Sequence, residues 1–115
     1  MPTVPLGGED FVKAAADHGH FTTSGDSRSC NNAYDKIVSV VNHLKRSPDS
    51  GEAILIKLLS YPDESVKSWA AAYLLPTHPE IATKALEEIA SQPGIIAFNA
   101  AMTLKEWLAG RLKLL

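Results

Sequence analysis

The stretch Pro62-Asp63-Glu64-Ser65-Val66-Lys67-Ser68-Trp69-Ala70-Ala71-Ala72-Tyr73-Leu74-Leu75 decides the fold. At the roughly 100° step of an α-helix, Val66, Trp69, Ala70, Tyr73 and Leu74 share one side, and Ala71, Ala72 and Leu75 cover the other. Only Glu64, Ser65, Lys67 and Ser68 are left for water. The helix is therefore predicted over 63–75 as the most buried in the chain, and a helix apolar around most of its circumference needs neighbours on several sides.

The flanking sequence supplies them. Residues 51–60 predict a short helix with Ile54, Leu55, Leu58 and Leu59 inward, entered through an Asp49/Glu52 capping box and closed by Tyr61-Pro62-Asp63. Downstream, Pro76-Thr77-His78-Pro79-Glu80 spaces Thr77 and Glu80 for a second box, with proline in the first turn. A fifth helix then turns Ile81, Ala82, Ala85, Leu86 and Ile89 inward. After Ser91-Gln92-Pro93-Gly94, a last helix of about 19 residues is expected to bury Ala97, Ala101, Leu104, Leu108 and Leu112. Upstream, Tyr34, Ile37, Val38, Val41 and Leu44 mark an amphipathic helix over 31–46, and Phe11, Ala14 and Ala15 mark one over 8–17 that His18-Gly19-His20 would stop. The polar run Phe21 to Ser29 reads as a loop.

A shift of 31 residues lays helices three and four on helices five and six. Ser60 and Pro62 fall on Ser91 and Pro93, Leu55 on Leu86, Leu58 on Ile89, Val66 on Ala97, Ala70 on Ala101, and Tyr73 on Leu104. Both turns and both apolar faces survive the shift. Helical hairpins repeated at this period mark stacked architectures in which one unit cannot bury its own face.

Composition agrees with helices. From Gly51 onward alanine and leucine fill 22 of 65 positions, and small alanine faces let helix axes approach. The 115 residues suit one domain, with 1–30 an N-terminal helix and polar loop, 31–50 a leading helix and 51–112 two hairpins. Hydrophobic content of 45% with a net charge of −2 excludes a disordered chain, and Cys30 alone builds no disulfide framework. No apolar run is long enough to cross a membrane, and no secretory leader is recognisable, which favours a cytoplasmic setting. Bases cluster only at Lys45-Arg46 and at Arg111 and Lys113, so nucleic acid is not the expected partner.

Residues 62–74 look like the second helix of a HEAT repeat, whose pattern is a Pro or Asp turn, Val-Arg, then Ala-Ala and a leucine. The resemblance implies that Lys67, the basic residue after the valine, ties neighbouring repeats together; the second copy has Ala97-Phe98 instead. Residues 31–112 also resemble a group of short bacterial HEAT-like domains of uncharacterised function. Some HEAT-like domains of this size are immunity proteins of bacterial toxin systems. The fold expected is thus all-α, a short HEAT-like α-solenoid of about six helices, with two leading helices across one end.

The function that follows is a non-catalytic protein-binding module, and the resemblance implies an inhibitor that neutralises a toxin. Stacks of this kind bind through a concave face lined by the second helix of each hairpin, which makes Glu64, Ser68, Asn99 and Glu106 contact candidates, with Trp107 at the edge. Asp17, Asp26 and Asp35 in the acidic first third form a second candidate surface. No cofactor and no metal is expected: Asp17-His18-Gly19-His20 fits no structural zinc spacing. Two alternatives use other residues. His18, His20 and Cys30 would have to converge on a pocket to make a ligand site or enzyme, and Leu112 to Leu115 would have to pair to make a homodimer rather than a monomer.

Overall fold

A computed structural model describes residues 8–44, 46 and 48–110, the side chains of 48–50 excepted. It is all-α. The elements in order are α1 (Glu9–Ser24), α2 (Ser27–Leu44), α3 (Pro48–Leu58), α4 (Glu64–Leu74), α5 (Pro79–Ala90) and α6 (Ile95–Leu108).

The central helix is enclosed as its sequence predicts, except that Ser65, expected to face water, is buried. Asp63 caps it, its Oδ1 accepting from the backbone N–H groups of Ser65 at 2.9 Å and Val66 at 3.1 Å. Val66, Ala70, Ala71 and Leu74 are fully buried. Helices α1, α3, α5 and α6 all pack against α4, and one apolar cluster joins Phe11, Ile37, Leu55, Leu74, Leu86 and Ala100 from the six helices.

The largest departure from expectation lies in the first third. Gly19 does not stop α1; it sits buried inside it, and a Cβ there would lie 2.5 Å from the Cβ of Ser65. The missing side chain is what lets α1 lie close on α4, where the Ser65 hydroxyl donates to the Ala15 carbonyl at 2.7 Å. The residues expected to form a loop continue the helix instead, because their polar atoms fold back on it: Thr23 Oγ1 donates to the Gly19 carbonyl and Ser24 Oγ to that of Phe21. The stop is Gly25, whose φ of +79° is the left-handed conformation a helix C-terminus uses, its N–H reaching the Phe21 and Thr22 carbonyls. Asp26 then caps α2, accepting from Ser29 N–H at 3.1 Å.

Other boundaries moved less. α3 already includes residue 49, so the Asp49/Glu52 box does not mark its start; the side chain of Asp49 lies outside the described residues. His78, not Thr77, is the N-cap of α5 and makes no side-chain cap, while Pro79 does begin the helix. In α6, Ala97 and Leu104 face inward as expected, but Ala100 and Trp107 take the places assigned to Ala101 and Leu108, which are exposed. That helix is apolar nearly all round, so periodicity does not choose its inner face. Leu112 and the expected terminal pairing surface lie outside the described residues.

The leading helices do not simply close one end. α1 packs on α4 and α6 as well as on α2, so it lies over the two helices expected to line an open concave face. The body is nearly isometric, 32 × 29 × 29 Å.

Candidate functional site

The corner between α1 and α2 brings together residues that the sequence separates. Gly25 and Asp26 reverse the chain, so Cys30 in the first turns of α2 returns to His18 and Thr22, one turn apart on α1. Cys30 Sγ lies 3.3 Å from His18 Nε2 and 3.2 Å from Thr22 Oγ1, and Thr22 Oγ1 lies 3.4 Å from His18 Nδ1. Two proton arrangements satisfy all three contacts, the ring of donors running in opposite senses; in one of them Nδ1–H donates to the threonine oxygen, the threonine O–H donates to sulfur, and the thiol donates to Nε2.

The imidazole is held from its other side by Trp69, ring edge to ring face at 5.0 Å between centroids. Burial there pushes the His18 pKa below its ordinary 6.5, leaving the ring neutral near pH 7 with one nitrogen able to accept. Trp69 continues into a row of rings, with Tyr34 at 5.7 Å and Tyr73 at 6.1 Å. Beside His18 a cleft of about 110 Å³ is lined by Ser65, Ser68, Trp69, Asn99 and Thr103.

Two of the three residues of the pocket alternative therefore meet. His20 does not: it is exposed, against Phe21 at 5.3 Å. Among the described residues no cluster of three or more His, Cys, Asp or Glu is placed to hold a metal ion. Ser68 and Asn99 share the small cleft, which α1 partly fills. Glu64 lies elsewhere, in a cleft with Lys67 and Glu88 between α4 and α5, where Lys67 closes no ion pair with either carboxylate. Glu106 and Trp107 are half-buried, Trp107 packing on the core. Of the acidic candidates, Asp17 pairs with Lys13 at 3.2 Å, Asp26 caps α2, and Asp35 is exposed.

A second feature is the outer face of α6. Ile95, Phe98, Met102 and Leu108 are 47%, 63%, 40% and 77% exposed. With Ala101 and Ala109 they span an arc of about 140°, broken only by Lys105. The thiol corner forms because residues 21–24 are helix and not the loop their polar sequence predicts. The Asp26/Ser29 spacing was the available signal, since an N-cap there turns the loop into a tight helix–helix corner.

The fold has a solved counterpart. The crystal structure of the protein RPA1889 from Rhodopseudomonas palustris CGA009 matches with a TM-score of 0.84, covering 98% of this chain and 94% of that one at 23% identity. At that identity the likeness shows the fold alone. No curated protein matches the chain. Residues 9–107 match the domain of unknown function DUF2019, from the first turn of α1 to the last of α6. The chain is thus a helical domain that belongs to the DUF2019 family.

Proposed function

We propose that this chain is a non-catalytic protein-binding module that receives an apolar helical surface of a partner protein on the outer face of α6. The bare apolar arc of that helix carries the reading, because exposed aliphatic and aromatic side chains gathered on one face mark interaction sites more often than scattered ones do. The internal repeat supports the choice of occupant. Under the 31-residue shift Ala101, Met102 and Lys105 correspond to Ala70, Ala71 and Leu74, which are fully buried among neighbouring helices. Phe98 supplies the kind of large anchor that dominates interfaces, and Lys105 calls for an acidic or carbonyl-rich spot opposite it.

The narrower reading is an immunity-type inhibitor that occludes a bacterial toxin in the cytoplasm, with the helices acting as a short HEAT-like stack. Its support is the likeness of residues 62–74 to a HEAT repeat. Protein rather than nucleic acid is the proposed partner, since the arc carries one base. Among the described residues no helix is long and apolar enough to cross a membrane.

Co-expression with the product of the gene directly upstream tests both levels. We expect a complex that survives gel filtration and protects the host, and its loss in the double variant Phe98→Asp, Met102→Asp, with helicity and melting unchanged. A complex that the double variant still forms would remove α6 as the contact. No binding and no protection would sink the inhibitor reading, and wild-type dimers that the variant dissolves would make the occupant a second copy of the chain.

A further inference from the structure

We propose that Cys30 is a modification site, a thiol that reacts with hydroperoxides, with His18 as the base that takes its proton and the acid that returns it. The proposal is independent of the α6 surface. It stands on three contacts: the 3.3 Å approach of Cys30 Sγ to His18 Nε2, the 3.2 Å approach of Thr22 Oγ1 to the same sulfur, and the 3.4 Å link from Thr22 back to His18 Nδ1. A cysteine beside a base that a third group orients is the arrangement of an activated nucleophile. Cys30 is half-buried, so a small reagent reaches it while the corner keeps its geometry.

The position adds to the effect. Cys30 lies in the first turns of α2, whose N-terminal peptide dipoles favour a developing negative charge on sulfur. The side chains placed against His18 are uncharged: Thr22 from α1, Cys30 from α2, Ser65, Ser68 and Trp69 from α4, and Asn99 and Thr103 from α6. The nearest acid along α1, Asp17, is paired with Lys13. With burial lowering its pKa and no carboxylate beside it to hold an imidazolium, the imidazole rests neutral and takes a proton during attack.

The step balances as follows. The thiol proton passes to Nε2 as sulfur attacks the near oxygen of the peroxide. An S–O bond forms and the O–O bond breaks, the sulfur being oxidised and the peroxide reduced. The departing hydroxide, or alkoxide from an organic peroxide, takes the proton from Nε2 and leaves as water or alcohol. Cys30 becomes a sulfenic acid and His18 returns neutral. Hydroperoxides fit this pair because their leaving group needs a proton, which a base that has just been protonated supplies. The chain contains no second cysteine, so the sulfenic acid forms no internal disulfide and is left to a small-molecule thiol.

The full chain is treated with hydrogen peroxide, the sulfenic acid is trapped with dimedone, and the adduct on Cys30 is followed by mass spectrometry across pH. Wild type is expected to react at least about tenfold faster than the urea-unfolded chain at pH 7, and His18→Gln to lose most of that gain. Thr22→Val should slow the reaction less, and added imidazole should partly rescue His18→Gln, which a purely structural defect would not permit. The wild-type profile alone is a second test, free of any folding defect. Its rate should rise through an inflection below pH 6.5, where His18 loses its proton. A profile with no inflection below pH 6.5, or a folded His18→Gln variant that reacts like wild type, overturns the proposal.

Discussion

Helices α4 and α6 occupy equivalent places under the 31-residue shift, yet one is enclosed and the other half bare. Four helices pack on α4, whereas α6 meets α5, α4 and α1 on one side only. Val66 and Ala97, the paired inward residues, are both buried; Ala71 is fully buried while its counterpart Met102 is 40% exposed. The difference teaches that an apolar circumference records how many neighbours a helix can accept, and position in the chain decides how many it has. α4 lies in the middle of the fold, so α1 and the second hairpin cover it. α6 keeps the same capacity without the covering elements, which is why its bare arc reads as a place for a partner.

The comparison breaks first at Leu74. Leu74→Ala removes a fully buried side chain from the enclosed helix and should cost about 2–5 kcal/mol, whereas the equivalent change on α6, Lys105→Ala, should stay within about 0.5 kcal/mol. Urea denaturation measures both. Equal losses at the two positions would mean that α6 is covered in solution and that its exposed face is not free.

A smaller effect tests what encloses α4. Gly19→Ala places a Cβ 2.5 Å from that of Ser65 and 2.7 Å from its hydroxyl, so α1 must move off α4 or Ser65 must give up its bond to Ala15. The expected loss is about 1–3 kcal/mol, typical of overpacking. Adding Ser65→Gly, which clears the clash, should recover part of it. If Gly19→Ala melts with the parent, close approach of α1 is not what Gly19 is for.

These two sites also mark what the residues reveal unaided. The identity of α4, the six-helix count and the inward placing of Ala82, Ala85, Leu86 and Ile89 on α5 follow from periodicity and turn chemistry, because strong local signals and tertiary packing agree there, whereas Ile81, expected inward with them, is 41% exposed. Gly19 misleads because a glycine within a helix and a glycine that ends one are the same letter; only the approach of Ser65, 46 positions along the chain, distinguishes them. The inner face of α6 is unreadable for the opposite reason, since apolar residues at nearly every angle leave the pattern without a preferred side. The thiol corner combines both difficulties. His18 and Cys30 look unrelated until Thr22, Thr23 and Ser24 are recognised as helix and Gly25 as its end.

The smallest predicted effect concerns a polar atom that α4 carries and α6 does not. Tyr73, matched by Leu104 on α6, has a hydroxyl that is buried without a hydrogen-bond partner among the described residues, and its side chain lines a cavity of about 290 Å³ with Val41, Leu44, Leu55, Leu74 and Thr77. Burial, with Tyr34 adding to it, pushes its pKa from 10.0 up to about 12. An unsatisfied buried hydroxyl costs about 1–3 kcal/mol, so Tyr73→Phe, which keeps the ring against Trp69, should raise the urea midpoint by an amount worth about 1 kcal/mol with an unchanged slope. Alkaline titration gives the matching sign. A folded pKa above the unfolded one contributes stability that is complete below pH 10 and lost as pH rises toward 12, so the wild type should weaken over that window and Tyr73→Phe should weaken less. A variant destabilised at neutral pH would show that the hydroxyl has a partner, such as water held in the cavity, and that the enclosure of α4 is fully satisfied rather than strained at this one atom.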